Sequence, residues 1–227
     1  MTEYWAHSGG HPLAEHLQSV AERAQRFAAA LGREQSLSSW ARLAGKWHDL
    51  GKYRPGFQRH VRQVEDAHIE HKVAGREKTH SAAGALWAIQ CLGQAHGDRG
   101  KLMARVLAYL IAGHHAGLAN WEGDLEVRLS QADSAQELQE ALDAQPPRAI
   151  LDAGDFVPDL RAIPGGQDGF ALWLRMLFSC LVDADFLDTE AHFDAGRARR
   201  ATSCMPKPAP MSHQSCARKQ CVAIGMQ

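Results

Sequence analysis

Five histidines and a late pair of aspartates in this 227-residue chain fall where they could gather around metal ions. His48-Asp49 lies in the string Trp47-His48-Asp49-Leu50-Gly51-Lys52. His16 precedes it, His80 follows it, and the adjacent pair His114-His115 and the cluster Asp183-Ala184-Asp185 come later. Imidazoles and carboxylates without a cysteine among them suit divalent first-row ions such as Fe, Mn, Co, Ni or Zn, and do not suit a structural thiolate zinc site. The pattern around His48-Asp49 reads as a metal-binding phosphohydrolase site.

Each residue also has a plainer reading. His48 and Asp49 end an apolar helix, so their side chains project about 100° apart and can serve two ions, or one ion from two sides. Lys52 follows by one turn and would clamp a phosphate; alternatively His48 and Lys52 meet a helix C-terminus that Gly51 caps. His16 lies between Leu13, Leu17 and Val20 near a buried face, where it needs a partner or a metal. His80 precedes a Ser/Ala/Gly-rich helix start at which Ser81 would serve as cap or touch substrate. Two adjacent histidines at the end of an apolar helix are hard to explain by packing, which favours ligation by His114 and His115. Asp183 and Asp185 continue the apolar LWLRMLFSCL, and a carboxylate is costly there unless paired or on a metal. His7, His11, His60, His68, His71, His96, His192 and His213 stand in polar or terminal contexts, and most of them read as surface residues.

Helices must position these groups. Residues 12–31 place Leu13, Leu17, Val20, Ala24, Phe27 and Leu31 at spacings of three and four, with Pro12 in the first turn and Gly32 at the stop. The pattern recurs at 37–50, 81–95, 101–117 and 169–190, and residues 124–143 allow two shorter helices. Alternating β-branched runs are nearly absent. Residues 52–79 and 144–168 read as long loops, the first with room for a short helix at 55–65.

Composition narrows the class. The formal charge of −1 divides unevenly, because residues 197–227 carry six Lys/Arg and no Asp/Glu, which leaves residues 1–196 with 19 basic against 26 acidic residues. An acidic body of this kind does not grip nucleic acid by diffuse electrostatics, so any phosphate is held locally by metals and a few placed cations. No apolar run of 18 residues and no leader pattern occur, which predicts a soluble, cytoplasmic protein without a membrane partner. Cys91 and Cys180 lie in apolar helices, Cys204, Cys216 and Cys221 lie in the tail, and no disulfide framework is implied. We expect one domain over residues 1–196, and a poorly ordered basic tail over 197–227 in which a zinc site of Cys204, His213, Cys216 and Cys221 is the less favoured reading.

The order H…HD…H…HH…D resembles the HD phosphohydrolase superfamily. The strings YWAHS at 4–8, PLAEHLQSVA at 12–21, WHDLGKYRPGFQ at 47–58, THSAAGALWA at 79–88, IAGHHAGL at 111–118 and LFSCLVDADFLDTE at 177–190 resemble one branch of it. That branch is the HD nuclease domain of the CRISPR-associated nuclease-helicase of type I interference. The resemblance implies an all-α HD-domain bundle with a metal site between central helices. It further implies cleavage of single-stranded DNA by a two-metal centre in antiviral defence. By position, His16, His48, Asp49 and Asp185 would hold one ion, Asp185 being preferred to Asp183 because Ala184-Asp185-Phe186-Leu187 fits the family pattern. Asp49 would bridge to a second ion on His80, His114 and His115, with Lys52 on the phosphate. A helicase domain or subunit and a CRISPR surveillance complex are the implied partners; no GxxxxGK[ST] string is present here.

Two-metal phosphodiester hydrolysis needs no nucleophilic side chain, which accounts for a site made of ligands and one lysine. Two competing readings stay open: an HD-type phosphohydrolase of small nucleotides, either dNTPs or cyclic nucleotides, and a non-catalytic HD interaction module. The intact ligand series disfavours the second of these.

Overall fold

Apolar residues spaced by three and four produce helices throughout, and their buried stripes face one another. The structure is a computed structural model that describes residues 3–31, 35–63, 80–156 and 163–194. Helix α1 (Leu13–Leu31) buries Leu13, His16, Leu17, Val20, Ala21, Ala24 and Ala28 along a single stripe, as expected of a helix with one face on a core. It packs on α2 (Gln35–Trp47) and on the last helix, which spans Gly166–Phe193 and is numbered α8 below. Between them come α3 (Pro55–Gln63), α4 (Ser81–Gly113), α5 (Glu126–Ser130), α6 (Ala132–Asp143) and the single turn α7 (Arg148–Leu151). The core gathers Val20, Trp40, Trp47, Leu92, Leu107, Ile111, Leu177 and Leu181, with Trp40 edge-on to Trp173. The architecture is an all-α bundle with one short two-stranded hairpin among the described residues.

The element that matters most for the site is α4, which is a helical hairpin. At Gly97 the backbone takes φ 63 and ψ −149, values available to glycine and essentially to no other residue, and the chain reverses there. The returning arm lies against the outgoing one, so that Gly100 packs on the Leu92 carbonyl and Gly84 on Ile111. Residue 80 therefore meets residues 114 and 115 although the sequence separates them by the whole hairpin. Gly84 also admits a close approach from α2, since a Cβ there would stand 1.9 Å from the Trp47 carbonyl oxygen. The end of α2, and with it His48-Asp49, can come down onto α4 only because Gly84 lacks a side chain.

Buried polar contacts fix this arrangement. Trp47 Nε1 donates to Ile150 O at 2.8 Å, and Trp87 Nε1 donates to Leu151 O at 3.1 Å. The buried Glu137 of α6 accepts the Ala83 N–H at 2.9 Å, which satisfies a donor of the α4 N-terminus and places negative charge at the positive end of its dipole. No helix among the described residues is long and apolar enough to cross a membrane.

Several sequence expectations change. Pro12 does not open α1; it lies in strand β2 (His11–Pro12), which pairs antiparallel with β1 (Trp5–His7), a small hairpin that the sequence patterning missed. The helix expected at 101–117 stops at Gly113, which leaves His114 and His115 in the turn beyond it. The helix expected at 37–50 stops at Trp47, and a 3-10 turn (Leu50–Tyr53) follows. The loop at 144–168 contains α7 and the start of α8. The tail from residue 195, the segment 64–79 with His68 and His71, and Gly32 lie outside the described residues.

Candidate metal centre

His48 and Asp49 follow directly on α2, where the change to a 3-10 turn points both side chains inward. His16, His48 and Asp49 are completely buried. The turn also brings Lys52 back, with its Nζ 2.8 Å from Asp49 Oδ2 and donating to Ala6 O at 3.0 Å. From α1, His16 places its Nε2 3.4 Å from Asp49 Oδ2; from α8, Asp185 Oδ1 lies 3.4 Å from both His16 Nε2 and His48 Nε2. His48 Nε2 is 3.2 Å from Asp49 Oδ2. On the other side of the carboxylate, Asp49 Oδ1 has His80 Nε2 at 3.2 Å and His114 Nε2 at 3.3 Å. His115 Nε2 completes this side, 2.7 Å from His80 Nε2.

Two constellations share Asp49. The ligand atoms of His16, His48, Asp49 and Asp185 lie within 4.8 Å of one another, and so do those of Asp49, His80, His114 and His115. Every residue of the expected ligand set is brought to one place. Asp185 reaches the cluster, whereas Asp183 faces solvent on the other side of α8. Ser81 is not the cap of α4, because His80 occupies the N-cap position and Ser81 is the first helical residue, half-buried beside it.

The residues present fit a metal. His16 Nε2, His48 Nε2, His114 Nε2, Asp49 Oδ1 and Asp185 Oδ1 are buried and make no hydrogen bond, although each stands 3.2–3.4 Å from an oppositely chargeable atom of the cluster. Leaving one such atom unsatisfied costs about 1–3 kcal/mol, so several together approach the whole stability of a domain, about 5–15 kcal/mol. The opposite ring nitrogens are held in place: His48 Nδ1 lies 2.8 Å from Gly45 O, His114 Nδ1 2.6 Å from Ile111 O and His16 Nδ1 2.9 Å from Asp188 Oδ2. A proton on Nδ1 in each of these contacts fixes the tautomer with a free Nε2, the outer-shell arrangement typical of histidine ligands.

Without metal, the charges settle among themselves. Burial opposes ionisation of Asp49, but His48, Lys52 and His80 outweigh it and hold the carboxyl well below its usual range. Asp185 is also lowered against its burial, by His48 and His16. Conversely burial disfavours the imidazolium of His16 and His48, yet the neighbouring carboxylates raise them to about 10 and about 9. His114 and His115 are lowered, chiefly by burial.

The family model for the HD domain of Cas3 matches residues 5–164. The chain belongs to the Cas3 HD-domain family. That match contains His16, His48, Asp49, His80, His114 and His115, while Asp185 lies beyond it and rests on its position in the cluster. Crystal structures of T. fusca Cas3 align with the chain. With ATP the identity is 21%, the TM-score 0.47, and the alignment covers 88% of this chain and 24% of that one; with AMPPNP the figures are 19%, 0.46, 88% and 24%. The chain therefore spans about a quarter of the length of those structures. No curated protein matches it.

This Cas3 HD-family chain also holds groups that sequence patterning places elsewhere or passes over. Asp188 lies within the string at 177–190 but carries no role in the sequence pattern; it is buried, contacts His16 and accepts from Ser19 Oγ and from Arg23 Nε at 3.3 Å. Its signal is a matter of spacing: Asp188 follows Asp185 by three residues on α8, and Ser19 and Arg23 follow His16 by three and seven on α1. His7 and His11, expected at the surface, are buried and half-buried. The β1–β2 hairpin folds them onto His16, with ring centroids 5.0 and 5.2 Å from it.

Proposed function

We propose that this chain is a metal-dependent nuclease that hydrolyses phosphodiester bonds of single-stranded DNA in type I CRISPR interference. The observation that carries this reading is the division of Asp49, whose Oδ2 faces His16 and His48 while its Oδ1 faces His80 and His114. In this proposal His16, His48, Asp49 and Asp185 hold one divalent ion, and Asp49, His80, His114 and His115 hold a second. The donor set suits Mn, Fe, Co or Ni, and Zn also fits. When bound, the ions supply Lewis-acid activation of water and neutralise charge on the phosphate.

The protein's own part is positioning. Asp49 is pinned by Lys52, and Lys52 by Ala6 O, so the shared carboxylate cannot rotate away. Lys52 also leaves a buried positive charge beside the cluster, where a phosphate oxygen would be drawn. Ser81, next to His80 at the start of α4, is proposed on the substrate side. No nucleophilic side chain is required. A helicase domain or subunit, a CRISPR surveillance complex and a cytoplasmic setting belong to the same proposal, which rests for them on family membership.

The test sets covalently closed single-stranded DNA circles against a panel of dNTPs and cyclic nucleotides, with Mn(II) or Co(II). Nicking of the circles without turnover of the panel is the expected result. Rapid hydrolysis of free nucleotides with intact circles would overturn the nuclease reading in favour of a small-nucleotide phosphohydrolase.

A further inference from the structure

A third group of ligands lies beside the first two, on the hairpin that sequence patterning missed. His7, His11 and His16 bring ring nitrogens within 4.8 Å of one another. None of the proposed nuclease chemistry uses His7 or His11. The group is built and not incidental, because each ring is held. Thr189 Oγ1 stands 3.0 Å from His7 Nε2. His192 stacks flat on His11, with centroids 4.4 Å apart and planes 9° from parallel, and itself reaches Ser8 O at 3.3 Å. Asp188 faces two of the three rings, at 2.9 Å from His16 Nδ1 and 3.6 Å from His11 Nε2.

One atom in the group is unexplained by packing. His11 Nδ1 is buried and has no hydrogen-bond partner. A ring needed only for bulk would be better served by an aromatic residue, since a buried imidazole nitrogen left without a partner is destabilising. A cluster of imidazoles with one carboxylate alongside and an idle buried nitrogen has the donor chemistry of a transition-metal seat.

We propose that His7, His11 and His16, with the Asp188 carboxylate beside them, form an auxiliary seat for a divalent first-row transition ion, adjacent to the two constellations that share Asp49. His16 is common to this seat and to the first constellation: its Nε2 faces Asp49 and Asp185, so an ion here would take Nδ1 in place of the proton shared with Asp188, which leaves to solvent, and the ring would serve both ions as an imidazolate. Selectivity falls to ions that favour nitrogen donors, such as Zn, Co, Ni or Cu(II), over Mg and Ca.

The experiment is metal stoichiometry, which does not depend on whether DNA is cut. The full chain is stripped with a chelator, then titrated with Zn(II) against a chromophoric competitor, and with Co(II) followed by its visible absorption. His11→Ala and the volume-conserving His11→Gln are expected to take up one equivalent fewer than wild type, with unchanged helical circular dichroism. In an Asp49→Ala background, which removes the shared ligand of the other two constellations, His11→Ala is expected to remove a further equivalent. Equal uptake by wild type and both His11 variants overturns the proposal. Loss of an equivalent from the His11 variants upholds it even if no nuclease activity is found, so the two readings fail separately.

Discussion

His16 Nδ1 and Asp188 Oδ2 lie 2.9 Å apart in a buried pair that joins α1 to α8. The pair leaves His16 Nε2 directed at Asp49 and Asp185, so Asp188 governs the aim of a ligand it does not replace. Outer-shell carboxylates of this kind typically account for about 10–100-fold in metal affinity. Asp188→Asn is expected to weaken metal binding by roughly that factor while the helical spectrum persists. Unchanged affinity in a folded variant would remove Asp188 from the account.

The metal-free protein should lose stability as pH rises toward alkaline values. His16 and His48 are raised from 6.5 to about 10 and about 9, so their contribution is complete below 6.5 and disappears as pH climbs through those values. Asp49 and Asp185 are lowered, so their contribution is present above 3.8 and is lost as pH falls below it. These are the same ion pairs seen from their two ends. His7, His11, His114 and His115 are lowered, chiefly by burial, so they remove stability as pH falls below 6.5, and the denaturation midpoint of the stripped protein is expected to peak near about 6.5 and to fall toward both acid and alkaline pH. Metal ligation needs the same imidazoles neutral, so metal affinity should move the opposite way and binding should release protons, measurable by calorimetry in buffers of different ionisation enthalpy. A stripped protein that gains stability from pH about 7 to about 9 would contradict the charge arrangement.

Gly84→Ala tests the approach of α2 to α4. Helix propensity alone favours alanine over glycine by about 1 kcal/mol. Here the new Cβ would meet the Trp47 carbonyl oxygen at 1.9 Å, a backbone atom that cannot swing aside. Overpacking of this type costs about 1–3 kcal/mol. We expect net destabilisation and weaker metal uptake, because His48-Asp49 follows Trp47 directly. A variant of higher Tm and unchanged affinity would show that the helices do not meet as described.

Much of this centre is legible in the sequence. Histidines and aspartates at the ends of apolar helices have few packing explanations, and their order carries the family pattern. What is not legible depends on tertiary closure. The His80–His115 contact requires the reversal at Gly97; the polar, glycine-bearing stretch at 96–100 separates the two apolar helices in the sequence, but a break alone does not say that the arms fold back on one another. The Gly9-Gly10 pair, with φ 81 and 85, is a usable turn signal. Strands of two and three residues are nevertheless too short for alternation to register, so His7 and His11 read as surface. Asp188 is obscured by the neighbouring Asp183 and Asp185, although only Asp185 and Asp188 share the inward face of α8.

Metal removal should be reversible and selective. EDTA is expected to abolish cleavage, and Mn(II) or Co(II) to restore it, because imidazole-rich sites favour transition ions over Ca(II). Restoration by Ca(II) alone would contradict the ligand chemistry.

The central claim is that Asp49 serves both constellations at once, and cleavage of closed single-stranded circles by Asp49→Ala measures it most directly. The account predicts a loss of about 10²–10³-fold or more, comparable to removal of a principal electrostatic group from an active site, at every Mn(II) or Co(II) concentration and with the helical spectrum retained. Substantial nicking by a folded Asp49→Ala protein, or its recovery by added metal, would contradict the shared-carboxylate centre.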